Sequence, residues 1–229
     1  MKDFKIINIV ASLSDIKDNP KILTALDLFK WRLDDKDLHE DSIQESISKI
    51  KKSKQEIGVV CCSLKQIESV ESFAKFLYIP GYLCRQTDIL IKASQTQLPL
   101  FIEKGNFLAP NDISRLLNKV SHDKISIVET GSSFGYSDNI LDLRSLYILK
   151  ENAIIFGVNL SALYGKKSKT YPHKARWTNS YNFYEAFILG SLALGASFFV
   201  IDNQKNLHTI SEDKVLEMQN AFSVEQNYV

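Results

Sequence analysis

YIPGYLCRQTDILIKASQTQLPLFIEKGNF, residues 78–107, is the stretch whose reading decides the fold. It continues an apolar run, Phe76 to Tyr82, that is broken by Pro80 and Gly81. A helical pattern follows from Arg85 to about Ser94, with Ile89, Leu90 and Ala93 recurring on one face. A second apolar run, Leu98 to Ile102, ends at Glu103, Lys104 and Gly105. Strand, crossover helix, strand is a βαβ unit. Neither strand alternates cleanly with polar residues, as expected of strands covered on both faces. Polar and charged residues collect after each strand: Arg85, Gln86 and Asp88 after the first, Glu103, Lys104 and Asn106 after the second. In a parallel αβ protein the carboxyl ends of the strands share one face, where sites are built.

The alternation extends in both directions. Upstream, Ile6 to Ala11 reads as the first strand. Pro20 predicts the start of a short helix to about Leu26, and Leu28 to Leu33 predicts a second strand carrying Lys30 and Arg32. An acidic segment, Asp34 to Asp41, leads into a helix from about Ser42 to Lys54 with Ile43, Ile47 and Ile50 facing inward. Strand three is Ile57 to Cys62, followed by a helix with Leu64, Ile67, Val70 and Phe73.

Downstream, Pro110 opens a helix to about Val120, and Ile125 to Val128 is strand six. Leu141, Leu143, Leu146 and Leu149 build the next helix, and Ile154 to Val158 is strand seven. A long polar connection, Leu160 to Thr178, precedes a helix from about Ser180 to Leu194 and strand eight, Phe198 to Ile201. Ser211 caps a final helix with Val215, Met218 and Phe222 on its buried side. Eight strands in alternation with helices predict a slightly shortened (β/α)₈ barrel of the TIM type, with residues 1–229 as a single domain. A doubly wound open sheet is the competing architecture, and the lack of a glycine-rich fingerprint after the first strand weighs against it.

Composition narrows the partners. A formal charge of +1 gives no electrostatic case for nucleic acid. Cys61, Cys62 and Cys84 form neither a disulfide framework nor a CxxC metal pair, and read as reduced thiols of a cytoplasmic protein. No run approaches the roughly 20 apolar residues of a membrane span, and the start lacks the apolar stretch of a signal peptide, so a soluble chain is expected.

Four motifs occur in order: PGYLCRQTD (Pro80–Asp88), EKGNFLAP (Glu103–Pro110), ETGSSFGY with NILDLRSL (Glu129–Tyr136, Asn139–Leu146), and IIFGVNLSAL (Ile154–Leu163). Together they resemble the 3-deoxy-D-manno-octulosonate 8-phosphate synthase family, within the class I DAHP synthase superfamily. The likeness is strongest from about Tyr78 to Leu163 and fades towards both ends. The resemblance implies a (β/α)₈ barrel assembled as a homotetramer. It also implies condensation of phosphoenolpyruvate with arabinose 5-phosphate, releasing phosphate and forming a precursor of a lipopolysaccharide core sugar. Some members of the family require a divalent metal and others do not.

Carried over residue by residue, the resemblance makes Lys30, Arg85, Lys104 and Asn106 the candidate phosphate and substrate ligands. Lys104 matches the second lysine of the family's KKG/KKP motif, Lys30 its strand-two lysine and Arg85 the arginine of RQTD. Asn106 stands for the usual glutamine. Two anionic phosphate esters need fixed cations and backbone donors, so these residue types suit that chemistry.

Other positions depart from the pattern. Glu103 replaces the first lysine of the pair, Thr130 replaces an arginine, and Leu160 replaces the strand-seven histidine. Asp202 lies one position after the place of the strand-eight glutamate, with Asn203 and Gln204 following. The strand-one position reads Ala11, Ser12, Leu13. The strand-seven loop keeps Lys166, Lys167, Lys169, Lys174 and Arg176 but lacks the family's GG pattern, and none of the four histidines (39, 122, 173, 208) falls on a matched position. No metal, no cofactor and no assigned catalytic residue follow. The expectation is a barrel with a depleted site, weakly active or inactive, serving in binding or assembly. The alternative is a working, metal-independent synthase with a rearranged site.

Overall fold

The computed structural model describes residues 5–10, 19–28, 48, 57–120, 124–133, 139–152, 154–163, 183–202 and 211–226. Eight parallel strands close in sequence order into a barrel. They are β1 (Ile6–Val10), β2 (Ile22–Asp27), β3 (Ile57–Val60), β4 (Leu77–Ile79), β5 (Leu100–Glu103), β6 (Ile125–Glu129), β7 (Phe156–Asn159) and β8 (Phe198–Asp202). Closure is made by β1 against β8, where Ile6 pairs with Phe199 and Ile9 with Asp202. The described helices are α1 (Leu64–Val70), α2 (Thr87–Gln95), α3 (Ile113–Leu117), α4 (Leu143–Glu151), α5 (Leu160–Leu163), α6 (Tyr184–Ala193) and α7 (Glu212–Gln226).

Side chains of a strand alternate between two faces, and in a closed barrel these faces become two separate cores. The inner one holds Ile7, Ile9, Ala25, Val60, Phe76, Tyr78, Phe101, Val128, Phe198 and Val200. Phe101 stacks edge-on against Phe76 at 5.2 Å and against Phe198 at 5.3 Å, filling the lumen with rings. Space for them comes from glycine: a Cβ at Gly58 would lie 2.2 Å from the Phe76 ring, and one at Gly157 would lie 2.4 Å from that of Phe198. The outer core, between strands and helices, takes the intervening positions, among them Ile6, Leu26, Leu100, Ile102, Ile127 and Leu160.

One expected element is corrected. Ile22 to Leu26 belongs to β2, not to a helix, and the strand ends at Asp27 rather than running from Leu28 to Leu33. The reason is local. Asn19, Pro20 and Lys21 form a tight turn in which Asn19 accepts the Lys21 amide on its side chain (3.0 Å) and the Ile22 amide on its carbonyl (2.9 Å). That turn hands the chain directly to the ladder, so Pro20 opens a strand and not a helix. Of the predicted helix at 42–54 only Ser48 is described, and it is helical; the strand-seven loop cations lie outside the described residues. Leu143, expected on a buried face, is about half exposed at the start of α4.

Candidate functional site

The mouth of the barrel, at the carboxyl ends of the strands, follows from the inner alternation. Two residues beyond Ala25, Phe101 and Val200 come Asp27, Glu103 and Asp202, and Asn159 closes β7 in the same layer. Asp27 and Asp202 are buried, and Glu103 is partly so. Their charges act on common neighbours. Burial first, then the Glu103 charge, raises the Tyr78 phenol well above its ordinary range, with Asp202 adding to the effect. Burial also pushes the Cys62 thiol up to about 11, where Asp27 and Glu103 contribute the same way. Cys62 Sγ lies 3.1 Å from the Tyr82 hydroxyl, and its amide donates to Gln66 Oε1. Three carboxylates therefore surround the mouth.

Glu103 is held tightly. The Tyr78 hydroxyl donates to Oε1 at 2.6 Å, the Asn159 amide donates to the same oxygen at 2.7 Å, and the Gly81 backbone N–H donates to Oε2 at 2.8 Å. Charge-assisted hydrogen bonds of this length are the strong kind.

Lys104, the next residue, faces the other way. Its amide still continues the ladder to the Val128 carbonyl at 2.8 Å, so strand alternation turns its side chain into the outer layer. There it is fully buried, and its ammonium lies 3.1 Å from Glu129 Oε1, itself fully buried. The carbonyls of Gly105, Leu108 and Gly131 surround the same ammonium at 3.3–3.4 Å. Glu129 also accepts the Gly131 amide at 2.8 Å and the Ser145 hydroxyl at 2.6 Å. Thr130, at the position of a family arginine, donates its hydroxyl to the Lys104 carbonyl. The Gly131 backbone turns at φ +80, and a Cβ there would lie 2.9 Å from side-chain atoms of Asn139 and Leu163. This cluster knits the loops after β5 and β6 together.

Of the remaining candidates, Asn106 borders this cluster through Asn139. Arg85 is exposed beyond the turn that follows β4. Asn106 is exposed, donating to Asn139 Oδ1 at 3.3 Å and accepting the Ser133 amide on its carbonyl. Asn139 in turn donates to the Thr130 and Ala162 carbonyls, each at 3.1 Å, which braces the loops after β6 and β7. Lys30 lies outside the described residues, as do the four histidines. Of the described candidates, Lys104 is buried in the outer layer, while Arg85 and Asn106 are exposed. The side chains that do converge are Tyr78 and Glu103, which follow by alternation from Phe76 and Phe101, and Asn159, which follows from Gly157 on β7.

A divalent metal of the family kind does not fit the described donor set. Leu160, where the histidine would stand, is an apolar side chain in the outer core. Among the described residues no three of His, Cys, Asp and Glu are grouped to hold an ion. Nor is any described helix long and apolar enough to cross a membrane.

Comparison with known proteins adds a family. Residues 36–171 match the model described as the DAHP synthetase I family, more than half of the chain. Similar proteins are called 2-dehydro-3-deoxyphosphooctonate aldolase. That of Citrifermentans bemidjiense is 38% identical over 115 residues, 47% of this chain and 42% of that protein. That of Geobacter metallireducens is 36% identical over 115 residues, with the same shares. That of Bartonella tribocorum is 45% identical over 89 residues, 38% of this chain and 32% of that protein. The chain covers less than half the length of the curated relatives it matches.

Proposed function

The chain belongs to the DAHP synthetase I family, and from that premise we propose that it is a 3-deoxy-D-manno-octulosonate 8-phosphate synthase-type barrel that has lost most or all of the condensation reaction. It acts instead as a cytoplasmic single-domain binding or assembly partner, homo-oligomeric as the resemblance implies. The family reaction joins phosphoenolpyruvate to arabinose 5-phosphate, both strongly anionic. Catalysis of that kind depends on fixed positive groups aimed at the reacting phosphates and carboxylate.

One observation carries the reading: the charge at the mouth has the wrong sign. Glu103 is anchored inward by three donors, while Lys104 is committed to Glu129 in the outer layer. A carboxylate within about 4–5 Å of a substrate phosphate opposes binding by on the order of 3 kcal/mol at a partly screened site. Asp27 and Asp202 add to it. The second reading, a working synthase with a rearranged site, draws support from Arg85, which stands exposed beyond β4 and available to a sugar phosphate.

The test is phosphate release from purified protein given phosphoenolpyruvate and arabinose 5-phosphate, with and without divalent metal. No turnover above background is expected. Steady release at a rate typical of enzymes, above about 1 per second, overturns the proposal in favour of the second reading. Thermal stabilisation by phosphoenolpyruvate without turnover identifies a retained binding site.

A further inference from the structure

Three donors from separate parts of the barrel meet on one side-chain carboxylate. Tyr78 comes from β4, the Gly81 amide from the turn after it, and Asn159 from the end of β7. Each donor is held by something other than Glu103. Tyr78 is packed in the inner core. Asn159 has its orientation set at the far end, because its Oδ1 accepts the Ala162 amide at 3.0 Å and leaves Nδ2 facing the mouth. Gly81 sits in a short turn opened by Pro80, against the Gly105 backbone: a Cβ on Gly81 would lie 3.3 Å from Gly105 Cα. The arrangement is preorganised by strands and turns, as ligand sites are.

We infer that Tyr78, Gly81 and Asn159 form a carboxylate seat that the chain fills with its own Glu103, and that a small monocarboxylate takes the same place once that side chain is removed. The ligand class follows from charge and from oxygen count. Two oxygens satisfy the three donors, two on Oε1 and one on Oε2. A single negative charge is what Asp27 and Asp202 already tolerate beside them. A phosphate brings more charge and more oxygens than the seat has donors for. In the native protein Glu103 is thus a built-in ligand, and the seat is closed to external anions. This goes beyond the proposed loss of condensation and stands on the three contacts alone.

The experiment is a thermal-unfolding titration of Glu103→Ala with acetate or formate, against chloride at matched ionic strength and against inorganic phosphate. The variant is expected to melt below the wild type in chloride and to recover saturably by roughly 3–6 °C as carboxylate reaches ten times its dissociation constant. Wild type and Glu103→Gln, whose side chains still occupy the seat, are expected not to respond. Equal responses of wild type and variant, a response to phosphate as large as to acetate, or no response of the variant would each overturn the inference. Should Glu103→Ala not fold, Glu103→Ser, which leaves a smaller void, carries the same titration with the same expected and overturning results. Turnover in the condensation assay bears on the functional reading and leaves this outcome untouched.

Discussion

Exchanging Lys104 for methionine removes the ammonium from a pair in which neither side chain has any exposure. Methionine keeps much of the aliphatic stem, so the change is mainly electrostatic. Glu129 then retains the Gly131 amide and the Ser145 hydroxyl as donors and loses its counter-charge. Breaking a buried pair from one side costs on the order of 3–5 kcal/mol, against a total stability of about 5–15 kcal/mol for a typical domain. Glu129→Gln is expected to cost a similar amount, since the ammonium is left with three carbonyls at 3.3–3.4 Å. The double variant is expected to lose about 2 kcal/mol less than the sum of the singles, because neither charge is then stranded. For comparison, Lys92 pairs with Glu68 on the surface, and Lys92→Met should cost no more than about 1 kcal/mol.

Urea unfolding at pH 7 reads these losses as shifts in midpoint at constant slope. The reasoning is refuted if Lys104→Met falls within about 1 kcal/mol of the wild type or if the two losses simply add. A lysine kept unpaired for a substrate phosphate predicts the opposite sign. Its removal relieves a buried charge and stabilises the empty protein. The same measurement therefore separates a structural tie from a substrate ligand.

Other perturbations probe the barrel and its mouth. Gly157→Ala places a Cβ 2.4 Å from the Phe198 ring and 2.6 Å from its carbonyl oxygen, and overpacking against backbone should cost about 3 kcal/mol in chemical unfolding. Asp142 caps α4, accepting the Arg144 amide at 3.0 Å, and hydrogen bonding to the Arg144 side chain lowers its pKa; Asp142→Ala should cost about 1 kcal/mol. Its contribution is present above the unfolded carboxyl pKa and is lost as pH falls through the lower folded value, so the gap between variant and wild type should close in acid. For Cys62 the shift has the other sign, from 9.0 up to about 11. Its alkylation by iodoacetamide should therefore accelerate only towards pH 11, and thermal melts of the wild type should fall more steeply through pH 9–11 than those of Cys62→Ala, in which only the remaining raised groups such as Tyr78 titrate.

Much of the fold was legible because its signals are local and repeated. Apolar runs separated by helical periodicity mark every described strand from β3 to β8, and the turn residues Pro80, Gly105 and Pro110 punctuate them. Failure came at β2. Ile22 to Leu26 is short and apolar, a pattern shared by a buried strand and a buried helix, and Pro20 opens either one. The decision was made by Asn19, whose side chain and carbonyl close the turn onto Lys21 and Ile22. Placing β2 at Ile22–Asp27 brings a carboxylate, Asp27, to the mouth.

The site was less legible for a reason that lies in the geometry of a strand. Adjacent residues point to opposite faces, so a charge moved by one position crosses from the lumen to the outer layer. Glu103 and Lys104 are such neighbours. A motif match assigns a lysine to the mouth because it compares residue types along the chain. Counting by twos from Phe101 puts Glu103 there instead, and counting from Ile102 puts Lys104 among the helices beside Glu129. Each charge then acquires partners suited to its face: neutral donors for the carboxylate at the mouth, and an anion with three carbonyls for the ammonium in the dry layer. The two networks share no side chain, so Glu103→Ala should leave the Lys104–Glu129 coupling intact, and Lys104→Met should leave the acetate response of the Glu103→Ala variant unchanged.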